Sequence, residues 1–205
     1  MQTSERQLLE SKLGKVGSVL RLTGWIGLCV QIAFGAISLL MVLSAILGRN
    51  FSQAATVAPG VPPRVADNLG LGLTPGIGVG IFWAVSGIVV LLCGIYFAFR
   101  QTRFAKRLRH ADTMQHPTKS QVINILRLGV IVGLVGMLLT IIGGGVSLGV
   151  LFSKAIAQPQ GVAIYDPTRI IRPIDVVVAV ANISGIAAHF MGTVGSLSVF
   201  EWLHR

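Results

Sequence analysis

Residues 176–200 read VVVAVANISGIAAHFMGTVGSLSVF, an unbroken run without one charged side chain between Asp175 and Glu201. A helix needs about 20 apolar residues to cross about 30 Å of hydrocarbon, and this run exceeds that length. It does not alternate as a half-buried strand would, and only helices or closed barrels satisfy backbone groups in lipid. Three more charge-free gaps lie between Arg21 and Arg49, Asp67 and Arg100, and Arg127 and Lys154. The reading is an all-α membrane protein: a single domain over 1–205 forming a four-transmembrane-helix bundle. Its spans are expected near 22–47, 77–99, 128–152 and 176–200.

The composition agrees. Of 205 residues 53% are hydrophobic and 12% charged, about half the charged share of an ordinary soluble domain. Mean hydropathy is +0.76. A water-soluble fold could not cover its surface with so few charges.

The net charge of +10 is concentrated on one side of the expected topology. Arg6, Lys12, Lys15, Arg21, Arg100, Arg103, Lys106, Arg107, Arg109, Lys119, Arg127 and Arg205 hold twelve of the seventeen basic residues. Short loops rich in Lys and Arg stay on the cytoplasmic side, so both termini are expected inside. The loop residues Arg100, Arg103, Lys106, Arg107 and Arg109 then set topology and meet anionic membrane lipids. Nucleic acid is not an expected partner. The opposite loops hold Arg49, Arg64, Lys154, Arg169 and Arg172.

Within residues 1–21, Leu8, Leu9, Leu13, Val16 and Leu20 recur at helical spacing, and Ser4 with Gln7 has the form of a capping box. A short amphipathic interfacial helix is expected there, the alternative being an extension of span one. No cleaved leader is expected, because the first apolar run is about twice the length of a signal-peptide core. Prolines make 48–75 and 154–173 irregular loops, with Pro173 suited to the first turn of span four. Cys29 and Cys93 fall inside spans and are expected to pack rather than pair.

Span four carries the chemistry. Asp175, Asn182, His189 and Ser196 recur every seven residues and so share one helix face, drifting about 20° per heptad. Polar groups facing lipid are costly unless paired, so this face is expected to turn inward, with Asp175 at the outer interface. It would be a transport path with His189 as its titratable or ligating member, or a set of interhelical hydrogen bonds. Gln31 and Ser38 on span one, and Thr140 and Ser147 on span three, have the same spacing and could answer it.

Gly80, Gly87 and Gly94 on span two, and Gly129, Gly133 and Gly136 on span three, are expected to let helix backbones approach closely. Gly143, Gly144 and Gly145 could pack the same way or break the helix at a substrate site. His110, Asp112 and His116 could hold a transition metal, as could His189, although no motif spacing supports it. No nucleophile–base set, phosphate loop or carboxylate pair is present, so neither catalysis nor a cofactor is expected. Short matches hint at a duplication in parallel orientation. Leu20–Leu22 recurs at Leu126–Leu128, and Ser-Gly-Ile begins at both Ser86 and Ser184, with Gly94 and Gly192 eight residues on.

Two stretches carry a resemblance: RLRHADTMQHPTKSQVINILRLGVIVGLVGMLLTIIGGGVSLGVLFSKAI at 107–156 and IDVVVAVANISGIAAHFMGTVGSLSVFEWL at 174–203. The chain resembles a plastid and cyanobacterial family. Its plant members are described as a small four-span component of the Tic translocon of the chloroplast inner envelope, or as "permease in chloroplasts". The specific pieces are the basic Arg107–Arg109, the segment Phe152–Ile156, and Asp175 with His189 two heptads on. The resemblance implies iron permeation or protein import, in a cyanobacterial plasma or thylakoid membrane or in the plastid envelope. A homo-oligomer passing iron or another small cation is the leading expectation. A scaffold subunit of a membrane complex is the alternative. The glycine-rich NLGLGLTPGIGVG at 68–80 marks a subgroup.

Overall fold

A computed structural model describes residues 2–56, 77–108, 118–157 and 171–204. They form four helices: α1 Gln2–Thr56, α2 Ile77–Leu108, α3 Lys119–Ala157 and α4 Pro173–His204. Each contains a segment long and apolar enough to cross a membrane: Gly17–Gly48, Gly78–Arg107, Lys119–Ala157 and Pro173–Trp202. The fold is an all-α four-helix membrane bundle.

The helices run past the expected spans. α2 and α4 each have 32 residues, or about 48 Å at 1.5 Å per residue. α1 is continuous, so its first residues are the start of the spanning helix and not a separate interfacial one. Ser4 therefore lies inside α1 rather than at its cap. Positions 48–56, expected as loop, continue the same helix. The glycines at 143–145 leave α3 unbroken, because in lipid a break would strand backbone groups without partners.

Two helix starts are fixed by side chains. At α3, Thr118 N–H donates to Gln121 Oε1 and Gln121 N–H to Thr118 Oγ1, both at 3.3 Å, a reciprocal capping box. At α4, Pro173 occupies the first position, and Asp175 Oδ2 accepts the Arg172 N–H at 2.8 Å. Both devices satisfy donors that a helix start leaves open.

Large apolar side chains point outward and polar ones inward. Leu92, Leu138, Phe152 and Ile156 are exposed, as are Leu22 and Phe82. Gln31, Ser38, Thr140, Asp175, Asn182 and His189 are buried. That inversion suits a hydrocarbon solvent. Hydroxyls on the outer surface are satisfied within their own helix: Ser44 donates to Met41 O and Ser198 to Val194 O, at 2.9 and 2.8 Å. Cys29 and Cys93, expected to pack inside, lie exposed on that apolar surface. With no charge to solvate, a thiol is tolerated there as a small hydrophobe.

By contacts the chain divides into two compact units, each drawing on all four helices. The first takes in the described residues of Met1–Phe34, Val89–Met137 and Ala187–Arg205. Its apolar core is Leu20, Phe104, Ala105, Val122, Ile125, Leu126 and Val199. Arg103 lies over the Phe99 ring at 4.8 Å and Arg100 over Phe104 at 5.7 Å, which holds two basic side chains on α2. The second unit takes in Gly35–Ile88 and Leu138–Ile186 as described. Its core is thinner: Ala45, Ile81 and Val178 in one cluster, and Val42, Ala84 and Ala181 in another.

Candidate functional site

In the first unit, α1 contributes Gln31 and α4 contributes His189, Thr193 and Ser196. Gln31 is 3% exposed and His189 1%. The His189 ring fills the notch over Gly136, where a methyl would collide with it, and Thr193 fills the notch over Gly133. Thr193 Oγ1 also donates to His189 O at 2.9 Å. Ser196 sits against Gly129 and accepts a hydrogen bond from Gln101 Nε2 at 3.3 Å. The Gln31 amide lies between Gly94 of α2 and Gly192 of α4.

In the second unit, Asn182 is fully buried and its Nδ2 donates to Gly80 O at 3.3 Å and Val178 O at 3.0 Å. Ser38 Oγ donates across to Ala181 O at 2.9 Å. Thr140 is packed between Gly87 and Gly185, and Ser147 against Gly80. Asn182 in turn occupies the notch at Gly143. Asp175 forms an ion pair with Lys154, both side chains buried.

The six packing glycines named from sequence thus each receive a polar side chain from a neighbouring helix. The physical reason is mutual. A small polar group in lipid gains by reaching a neighbour's backbone, and only a glycine opens a notch deep enough to admit it.

One expectation needs correction. Lys154, assigned to a loop, lies within α3 and is 4% exposed. Its partner is Asp175, which is itself 2% exposed. Burial of the carboxylate demands a cation, and the α3 extension supplies one. Both Lys154 and Gln101 continue seven-residue series already visible in the sequence: Thr140, Ser147, Lys154, and Gly80, Gly87, Gly94, Gln101. Following those series to their ends would have found them.

The repeated Ser-Gly-Ile has a structural counterpart. Gly87 and Gly185 both abut Thr140, and Gly94 and Gly192 both abut Gln31. The members of each pair are 98 residues apart, so α2 and α4 present matching notches. At the same offset, Ala84, Leu91 and Ala98 of α2 correspond to Asn182, His189 and Ser196 of α4. The polar row is thus an α4 feature on a face that α2 keeps apolar.

Arg109, His110, Asp112 and His116 lie outside the described residues. Among the described residues no three His, Cys, Asp or Glu side chains come together as a metal centre would need.

A family described as "Protein of unknown function (DUF3611)" matches residues 10–204. "Protein TIC 21, chloroplastic", from Arabidopsis thaliana, is 31% identical over 124 residues, which cover 57% of this chain and 41% of that protein. The chain therefore spans less than half the length of this relative. No solved structure matches.

Proposed function

The chain belongs to the DUF3611 family, and on that footing we propose that this multi-pass membrane protein passes a small cation. One observation carries the reading. Two buried oxygens of the polar row, Asn182 Oδ1 and Asp175 Oδ1, have no hydrogen-bond partner. Leaving acceptors unsatisfied in a low-dielectric interior is costly, about 1–3 kcal/mol each. Such a cost is understandable where the oxygens serve a passing cation. Iron is the cation that the resemblance implies, and the Arabidopsis relative's name places that protein in the chloroplast. The proposed location is a cyanobacterial plasma or thylakoid membrane. Four helices are few for a self-contained carrier, so copies assemble. No catalytic step is involved.

The test is uptake of ferrous, manganous and monovalent ions into liposomes holding the purified protein. Uptake above empty liposomes, reduced in Asn182→Leu and His189→Ala, is expected. No uptake of any of these ions sinks the reading.

A second reading, a scaffold subunit of a translocon or other membrane complex, is favoured by the glycine notches, which account for the polar row as packing alone. Affinity purification from native membranes separates the two. A stoichiometric large partner supports the scaffold, and the protein recovered only with itself supports transport.

A further inference from the structure

Beside the first unit's polar side chains is a cavity of about 10 Å³ lined by all four helices. Its polar lining is Thr23 and Gln31 of α1, Gln101 of α2 and Ser196 of α4, with glycines completing the wall. Gln31 is more than nine-tenths buried, and its Oε1, an acceptor, has no partner. Gly27 adds an independent sign of open space. It is buried and lines this cavity, yet a methyl built on it would meet nothing within 4 Å.

We propose that this cavity is a binding site for one water molecule, held between the Gln31 amide and the Ser196 hydroxyl. Size admits the occupant: a single water needs a cavity of roughly 10–15 Å³, together with 2–4 polar partners. Chemistry selects it as well. The Gln31 amide lines the cavity and can both give and take a hydrogen bond. The Ser196 oxygen already accepts from Gln101 Nε2, which leaves its own hydrogen to donate. Thr23 Oγ1 donates to Val19 O at 2.7 Å and keeps lone pairs for a further bond. A water both gives and takes at such a site. A bare cation would meet only neutral groups there, with no carboxylate to balance it in a low-dielectric interior. The inference goes beyond the permeation reading and does not depend on it.

The test uses the full chain in lipid nanodiscs with ¹⁵N-labelled glutamine side chains. Magnetisation transfer from water to the Gln31 amide protons is expected in the wild type. Gly27→Ala places a methyl in the cavity and is expected to abolish that transfer, leaving the backbone spectrum elsewhere unchanged. Ser196→Ala, which removes a single hydroxyl, is expected to weaken it. A wild type showing no transfer means a dry void and overturns the proposal, as does transfer untouched by either substitution. Melting temperature that rises with Na⁺ or K⁺ at constant ionic strength, and no longer does so in Gln31→Met, assigns a cation instead and also overturns it.

Discussion

Lys154 near the end of α3 and Asp175 in the first turn of α4 form an ion pair whose side chains are only 4% and 1% exposed. Asp175 Oδ2 also accepts the Arg172 N–H, so one oxygen both pairs the lysine and fixes the start of α4. Removing one partner of a buried pair leaves an uncompensated charge and costs about 3–5 kcal/mol, whereas replacing both by apolar residues costs far less. Lys154→Met and Asp175→Leu are each expected to lower the detergent-solubilised melting temperature sharply, and the double variant to recover much of the loss. Additive losses in the double variant would show that the two side chains do not act together.

The glycine notches divide by position. Gly136→Ala and Gly192→Ala drive a methyl into His189 and Gln31 and are expected to destabilise by about 1–3 kcal/mol. Gly145 and Gly149 are exposed on α3 with nothing within 4 Å of an added methyl. There the same substitution is expected to be neutral or to stabilise by up to about 1 kcal/mol through helix propensity. Thermal denaturation of the four variants side by side checks the contrast, and equal effects at all four positions would refute it.

The reciprocal bonds of Thr118 and Gln121 fix where α3 begins. Thr118→Ala removes the cap and is expected to cost about 1 kcal/mol, while Thr118→Ser, which keeps the oxygen, costs little. Hydrogen exchange at the Gln121 amide, whose bond to Thr118 Oγ1 is lost only in the alanine variant, is the direct measurement.

The charge distribution predicts an orientation. If the basic ends of α2 and α3 lie inside, a cysteine placed at the exposed Ser120, in a chain with Cys29 and Cys93 replaced by alanine, is protected from an impermeant maleimide in intact cells. Labelling before lysis would reverse the proposed topology.

Much of this was legible in the one-dimensional pattern. Charge-free stretches longer than a bilayer's thickness leave a chain few choices, because lipid offers the backbone no alternative partner. The seven-residue spacing of Asp175, Asn182, His189 and Ser196 placed them on one face for the same geometric reason, and all four are buried. Helix ends were less legible. Lys154 looks like a loop residue because a charge ordinarily marks the edge of a span, and only its distant partner Asp175 explains its burial. The Thr118–Gln121 cap has the spacing of a capping box, yet it lies ahead of the 128–152 expected for span three. Ser4 with Gln7 had the same form and lies inside a helix. A local motif cannot tell whether the chain before it is already helical.

The sequence by itself determined that this protein lives in a membrane as four helices with a polar face on the last, since hydropathy and period depend on the chain alone. The tertiary structure alone decided which glycine admits which side chain, that Asp175 holds Lys154, and that Gln31 borders a water-sized cavity. Those are relations between residues far apart in the chain, Gln31 and Gly192 among them, and the relative rotation of packed helices sets them.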